Sequence, residues 1–142
     1  MAAVQPKQIR GPRGRVLARP RDRGPTEHDE QVALCRWLDA RGIGYFAVPN
    51  GARVRPAQAK KLKAEGMTAG APDLVLTRRT LDGRPIAVEV KREVGGVMSR
   101  AQRAMQDRLT HDGWICIVAR GGQDGIEQIT ETLGGAGITG AG

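Results

Sequence analysis

The six residues IAVEVK, at positions 86 to 91, restrict the fold more tightly than any other part of the chain. Side chains alternate between the two faces of a β-strand, so Ile86, Val88 and Val90 share one face while Ala87, Glu89 and Lys91 share the other. The run APDLVL, ending at Leu76, reads as the partner strand of a hairpin turning around LDGR. A two-residue Asp82-Gly83 turn would set Leu74 against Lys91 and Leu76 against Glu89, mixing core residues with charges. A three-residue loop, Leu81-Asp82-Gly83 with Gly83 in the left-handed region, sets Leu74 against Val90 and Leu76 against Val88, leaving one face apolar. That register puts Asp73 opposite Lys91 on the other face. Glu89, opposite Val75, is then a diagonal neighbour of Asp73, about 5 to 8 Å away between Cβ atoms.

Two carboxylates at that spacing repel. A hard divalent cation between them relieves the cost, since Mg²⁺ takes oxygen ligands and is held by few protein carboxylates plus waters. A lysine beside it can orient or deprotonate a water and stabilise charge growing on a phosphate. Metal-assisted phosphodiester hydrolysis needs these parts. The plainer alternative is a cross-strand salt bridge with Glu89 a spectator, worth about 0 to 1 kcal/mol if exposed.

The rest of the chain supplies a frame for that hairpin. TEHDEQVALCRWLDARG opens with Thr26 as N-cap and Asp29 at the third helical position and stops at Gly42, with Leu34, Trp37 and Leu38 on the buried stripe. IGYFAVPNG reads as a short buried strand ending in a Pro-Asn-Gly turn, and RPAQAKKLKAEG as a basic helix stopped by Gly66. MTAGAP is a glycine-bearing loop leading into the hairpin. After it, Ser99 caps a helix with Gln102 three residues on, closed by Gly113. WICIVAR reads as a central strand, and DGIEQITETL as a final helix capped by Asp124. The order α, β, α, β, β, α, β, α makes an α/β fold, a mixed central sheet flanked by helices.

Charge divides the chain into regions. Residues 1–25 hold seven Lys or Arg against one acid, in a Pro-, Gly- and Arg-rich context too poor in apolar residues to fold alone. They read as a flexible basic arm suited to phosphate contact, followed by a folded domain over 26–133 and a Gly/Ala-rich tail over 134–142. No apolar run approaches a membrane span and no signal-peptide core is present, so a cytoplasmic protein is expected. Cys35 and Cys116 have no metal-like spacing and read as reduced core residues, which argues against zinc. His28 and His111 lack partners at ligand spacing. Aromatic content is 3%, which favours backbone and shape recognition over base stacking.

The motifs GAPDLVL and AVEVKR, with TEHDEQ, VPNG, KLKAEGMTAGAPDLVL, IAVEVKREVGGVMSRAQ and LTHDGWICIVARG, together resemble the stand-alone VRR-NUC nucleases of phages and bacteria, within the PD-(D/E)XK superfamily. The resemblance spans about residues 26–133 and implies that superfamily's restriction-endonuclease-like core. It implies that Asp73 and Glu89 hold Mg²⁺ or Mn²⁺, with the Val90 carbonyl a further ligand, and that Lys91 is the catalytic lysine. Glu27 matches the helix glutamate that completes the acidic cluster and joins the metal-holding set, although a first-turn acid also favours the helix dipole and Glu30 is a rival. Gln102 matches the glutamine after the lysine motif, while Ser99-x-x-Gln102 is equally a capping box. Arg10, Arg13, Arg15, Asn50, Lys60, Lys61, Lys63 and Arg92 are the expected DNA contacts.

The expectation is therefore a metal-dependent DNA endonuclease acting on branched DNA such as a Holliday junction, as a homodimer, with no small-molecule cofactor and no membrane partner. The alternative is a DNA-binding module that keeps the fold without catalysis. That alternative predicts loss of a motif residue, and the motif is complete.

Overall fold

The computed structural model describes residues 24–49 and 54–135. Eight elements follow in the expected order: α1 (Glu27–Ala40), β1 (Tyr45–Ala47), α2 (Pro56–Ala64), β2 (Leu74–Leu76), β3 (Ile86–Lys91), α3 (Arg100–His111), β4 (Ile115–Arg120) and α4 (Gly122–Thr132). They form a four-stranded sheet ordered β1-β2-β3-β4, antiparallel except for the parallel β3–β4 pair. Parallel pairing requires a crossover, and α3 supplies it. Among the described residues no helix is long and apolar enough to cross a membrane.

One sheet face carries the core. Leu74, Leu76, Ile86, Val88, Val90 and Ile117 pack with Leu34 and Leu38 of α1 and Ile129 of α4, all buried. Close approach of α4 depends on Gly125, where an added Cβ would lie 3.0 Å from the Ala119 Cβ and 3.2 Å from Leu34. α1 starts with a full capping box: Thr26 Oγ1 accepts the Asp29 amide at 3.2 Å and Asp29 Oδ2 accepts the Thr26 amide at 2.9 Å. The opposite sheet face lies under α3, which is why all six residues of β3 are buried, charges included.

Four sequence expectations are corrected. The hairpin register is Leu74 to Val88 and Leu76 to Ile86, two residues away from the expected pairing. The three-residue turn does form at the tip: Thr80 and Arg84 flank it, Thr80 N donates to Arg84 O at 3.0 Å, and Gly83 has φ +84°. Between tip and ladder the β2 side carries two more residues than the β3 side, taken up in the bend at Thr77 and Arg78. The slip is even, so the faces keep their predicted composition. Asp73 moves from opposite Lys91 to opposite Glu89, and Val75 faces Ala87 instead of Glu89.

β4 is an edge strand instead of a central one; its apolar character comes from cover by α3 on one face and α4 on the other. β1 is the other edge and is only partly covered, with Phe46 53% exposed, so it is not the buried strand expected. α4 begins at Gly122, ahead of Asp124, which sits inside its first turn and accepts the Arg120 amide at 2.8 Å. Cys35 and Cys116 are free and half-buried, and burial pushes both thiols upward.

Candidate active site

The chemistry-bearing side chains gather where β3 ends. Glu89 and Lys91 stand two residues apart on the α3 face, and Asp73, at the start of the antiparallel neighbour β2, arrives at the same end. Lys91 Nζ lies 3.2 Å from Glu89 Oε1 and 3.7 Å from Glu27 Oε1 at the start of α1. Asp73 Oδ2 accepts the Val90 amide at 2.7 Å. A strand residue turns its amide and carbonyl toward the same neighbour. The Val90 carbonyl therefore faces the Asp73 side, while Lys91 faces β4, its carbonyl accepting the Gly121 amide at 2.9 Å.

Burial sets the electrostatics. Glu89 and Lys91 are 6% and 5% exposed, so neither charge can rely on water. Burial raises the Glu89 carboxyl to about 7; the neighbouring Asp73 carboxylate adds to the rise and Lys91 opposes it. Asp73 is raised as well, first by burial, against the opposing pull of the Val90 amide and of Lys91. Without a cation the pair is therefore a raised acidic couple with Lys91 beside it.

Among the described residues no three or more His, Cys, Asp and Glu side chains gather at metal-ligand spacing. The donor set is two carboxylates with a main-chain carbonyl beside them. That set is all oxygen and too small for a closed protein cage, and its paired acids are held above their ordinary pKa. It fits a hard divalent cation that keeps several waters, and it does not fit zinc.

Gln102 closes the capping box and at the same time reaches the acidic cluster. Its Oε1 accepts the Ser99 amide at 2.8 Å, and its backbone amide donates to Ser99 Oγ at 3.1 Å, completing the capping box. Its Nε2 donates to Glu89. The rivalry between the two α1 glutamates also has a geometric answer: Glu27 faces Lys91, whereas Glu30, 9% exposed, turns to α4 and accepts the Gly122 amide at 2.5 Å. α4 has no side-chain cap of its own, so Glu30 supplies one from another helix.

Lys60, Lys61 and Lys63 stand exposed on α2, outside the buried cluster, and Lys61 pairs with Glu65 at 3.9 Å. Arg92 directly follows Lys91 and is half-buried. Arg10, Arg13, Arg15 and Asn50 lie outside the described residues.

Sequence reading missed Gly70. It has φ +79°, and a Cβ there would fall 2.2 Å from the Ala101 carbonyl oxygen and 2.7 Å from the Gln102 amide. The loop that delivers Asp73 thus crosses directly over the first turn of the helix that carries Gln102. A glycine three residues before the aspartate was the available signal, but a loop glycine by itself says only that a turn is near.

A family model for the VRR-NUC domain matches residues 26–123. A solved structure titled "VRR_NUC domain protein" is similar in fold with a TM-score of 0.63, at 22% identity over 78% of this chain and 89% of that one. No curated protein matches.

Proposed function

The chain belongs to the VRR-NUC family, nuclease-type domains that process DNA, and from that premise we propose that it is a Mg²⁺- or Mn²⁺-dependent DNA endonuclease preferring branched DNA. One observation carries the reading: half-buried Asp73 and buried Glu89 and Lys91 gather at one end of β3, with Lys91 Nζ 3.2 Å from Glu89 Oε1 and 3.7 Å from Glu27 Oε1. A salt bridge kept for stability alone would not need a second raised carboxyl beside it.

Asp73 and Glu89, with the Val90 carbonyl, would hold the cation, which when bound supplies Lewis-acid polarisation of the phosphate and a lower pKa for water. Lys91 places its charge beside the scissile phosphate and stabilises the negative charge that grows in the transition state. Glu27 orients Lys91 from α1, and Gln102 orients Glu89 from α3. Lys60, Lys61, Lys63, Arg92 and Asn50, with Arg10, Arg13 and Arg15 of the arm, contact the phosphate backbone without reading sequence. A homodimer would present two such sites to a nearly two-fold four-way junction.

The test is cleavage of labelled four-way junction, flap, linear duplex and single-stranded DNA with Mg²⁺, with Mn²⁺ and with chelator, beside Lys91→Ala. Metal-dependent paired cuts in the junction, absent in the variant, are expected. Tight junction binding with every substrate intact would replace the enzyme by a DNA-binding module.

A further inference from the structure

Large apolar side chains standing exposed among the described residues include Phe46, Leu81, Val94 and Val97. Single exposed apolar residues need no explanation. Val94 and Val97 differ because they stand three residues apart in the short connection between β3 and α3, each 73% exposed, with Val94 inside the turn at Glu93–Gly95 that follows Lys91 and Arg92. Turns favour Gly, Asn, Asp, Ser and Pro, and a β-branched apolar side chain at an exposed tip adds nothing to turn stability.

The turn is also held firmly. Gly95 takes φ +76°, and a Cβ on Gly96 would lie 2.6 Å from the Arg92 carbonyl oxygen and 2.9 Å from the Lys91 Cβ. Arg120 Nη1 donates to the Gly96 carbonyl at 2.7 Å from the end of β4. The two valines are thereby carried on a platform clamped to the strand that bears Glu89 and Lys91.

Charge identifies what such a platform meets. From Lys91 to Arg103 the chain has four basic residues and one acid, Glu93. Arg100 and Arg103 are exposed at the start of α3, whose first turn contains no acid although a helix N-terminus disfavours cations. A second copy of this chain would bring like charges together. A polyanion would relieve the mismatch.

We propose that Val94 and Val97 form an apolar wedge that enters an opened base step of DNA, with Arg92, Arg100 and Arg103 holding the flanking phosphates. The inference rests on the nuclease reading and extends it to substrate choice. A wedge enters where stacking is already interrupted, at a branch point, nick or flap base, and pays an unstacking cost in continuous duplex. The turn would thereby favour interrupted DNA over intact duplex next to the cutting site.

The experiment uses the full chain and a four-way junction carrying 2-aminopurine at the branch point, in chelator so that no cleavage occurs. Wild type should raise the fluorescence about 3-fold or more on binding, and the double variant Val94→Ser, Val97→Ser should lose most of that rise. Leu81→Ser, at the opposite end of the sheet, should behave as wild type. With metal added, the junction-to-duplex ratio of kcat/KM should fall about 10-fold or more in the double variant. No fluorescence rise in the wild-type complex, or an equal rise in the double variant, overturns the wedge. A dimer that the double variant converts to monomer, with fluorescence unchanged, assigns the patch to a second copy and also overturns it. Because the fluorescence arm needs no catalysis, a wedge signal without cleavage refutes the nuclease reading alone, and cleavage indifferent to the valines refutes the wedge alone.

Discussion

Gln102 reaches Glu89 with a side chain already engaged at its other atom: Oε1 accepts the Ser99 amide while Nε2 donates to the carboxylate. Helix initiation and carboxylate orientation are therefore joined in one residue. Gln102→Glu keeps an acceptor for the Ser99 amide and loses the donor to Glu89. It keeps the cap but sets a further carboxylate against buried Glu89, so stability should fall and activity should drop about 10- to 100-fold. Gln102→Ala should lose activity and, in addition, about 1 kcal/mol of stability. Equal activity in wild type and Gln102→Glu would reduce the residue to its cap.

The raised Glu89 carboxyl should make the stability of the metal-free protein depend on pH. Its carboxyl lies at about 7 in the fold against 4.5 in an unfolded chain. Between those values the folded state keeps a proton that the unfolded state has released, so stability is fullest below pH 4.5 and declines toward pH 7. Asp73 is shifted in the same direction and adds to the decline. Thermal unfolding in chelator should show a Tm falling over that window in wild type and a flatter profile in Glu89→Gln. Added Mg²⁺ should raise Tm more at pH 8 than at pH 5. Matching slopes for wild type and Glu89→Gln would remove Glu89 as the cause.

The two α1 glutamates should separate cleanly. Glu30→Ala strands the Gly122 amide in a buried place and should cost about 1–3 kcal/mol, read as a Tm drop of several degrees. Glu27 has a side chain 49% exposed, so Glu27→Gln should change stability by less than about 1 kcal/mol while lowering cleavage. Calorimetry paired with a cleavage assay decides this, and the reverse pattern would exchange their roles.

Gly70 and Gly83 both have positive φ, at +79° and +84°, yet only Gly70 is crowded. Gly83→Ala should cost about 1–2 kcal/mol from backbone strain. Gly70→Ala adds a collision with the Ala101 carbonyl and should cost more, while also reducing activity by displacing Asp73 from Glu89. Urea denaturation of both variants gives the comparison.

Period-two patterning in IAVEVK and the caps at Thr26 and Ser99 made the element order and the shared face of Asp73, Glu89 and Lys91 legible in the sequence. What escaped depends on contacts between segments distant in the chain. Glu30 looked like a site residue because its partner, the Gly122 amide, is 92 positions away. β4 read as central because cover by two helices and cover by two strands leave the same apolar composition. The hairpin register was displaced because the turn was located correctly but the bend at Thr77 and Arg78 was invisible to pattern. The arm and Asn50 lie outside the described residues.

That bend uncouples two quantities that a motif treats as one. Asp73 and Glu89 are 16 residues apart in the chain, but they meet because the strands pair by their apolar faces, with the surplus length taken up beyond Leu76. The interval between the two carboxylates is thus free to drift as the connection grows or shrinks, and only the parity of the pairing is under constraint. An insertion between Thr77 and Pro85 would lengthen the motif without moving the site, whereas a single residue added inside β2 would turn Asp73 into the core.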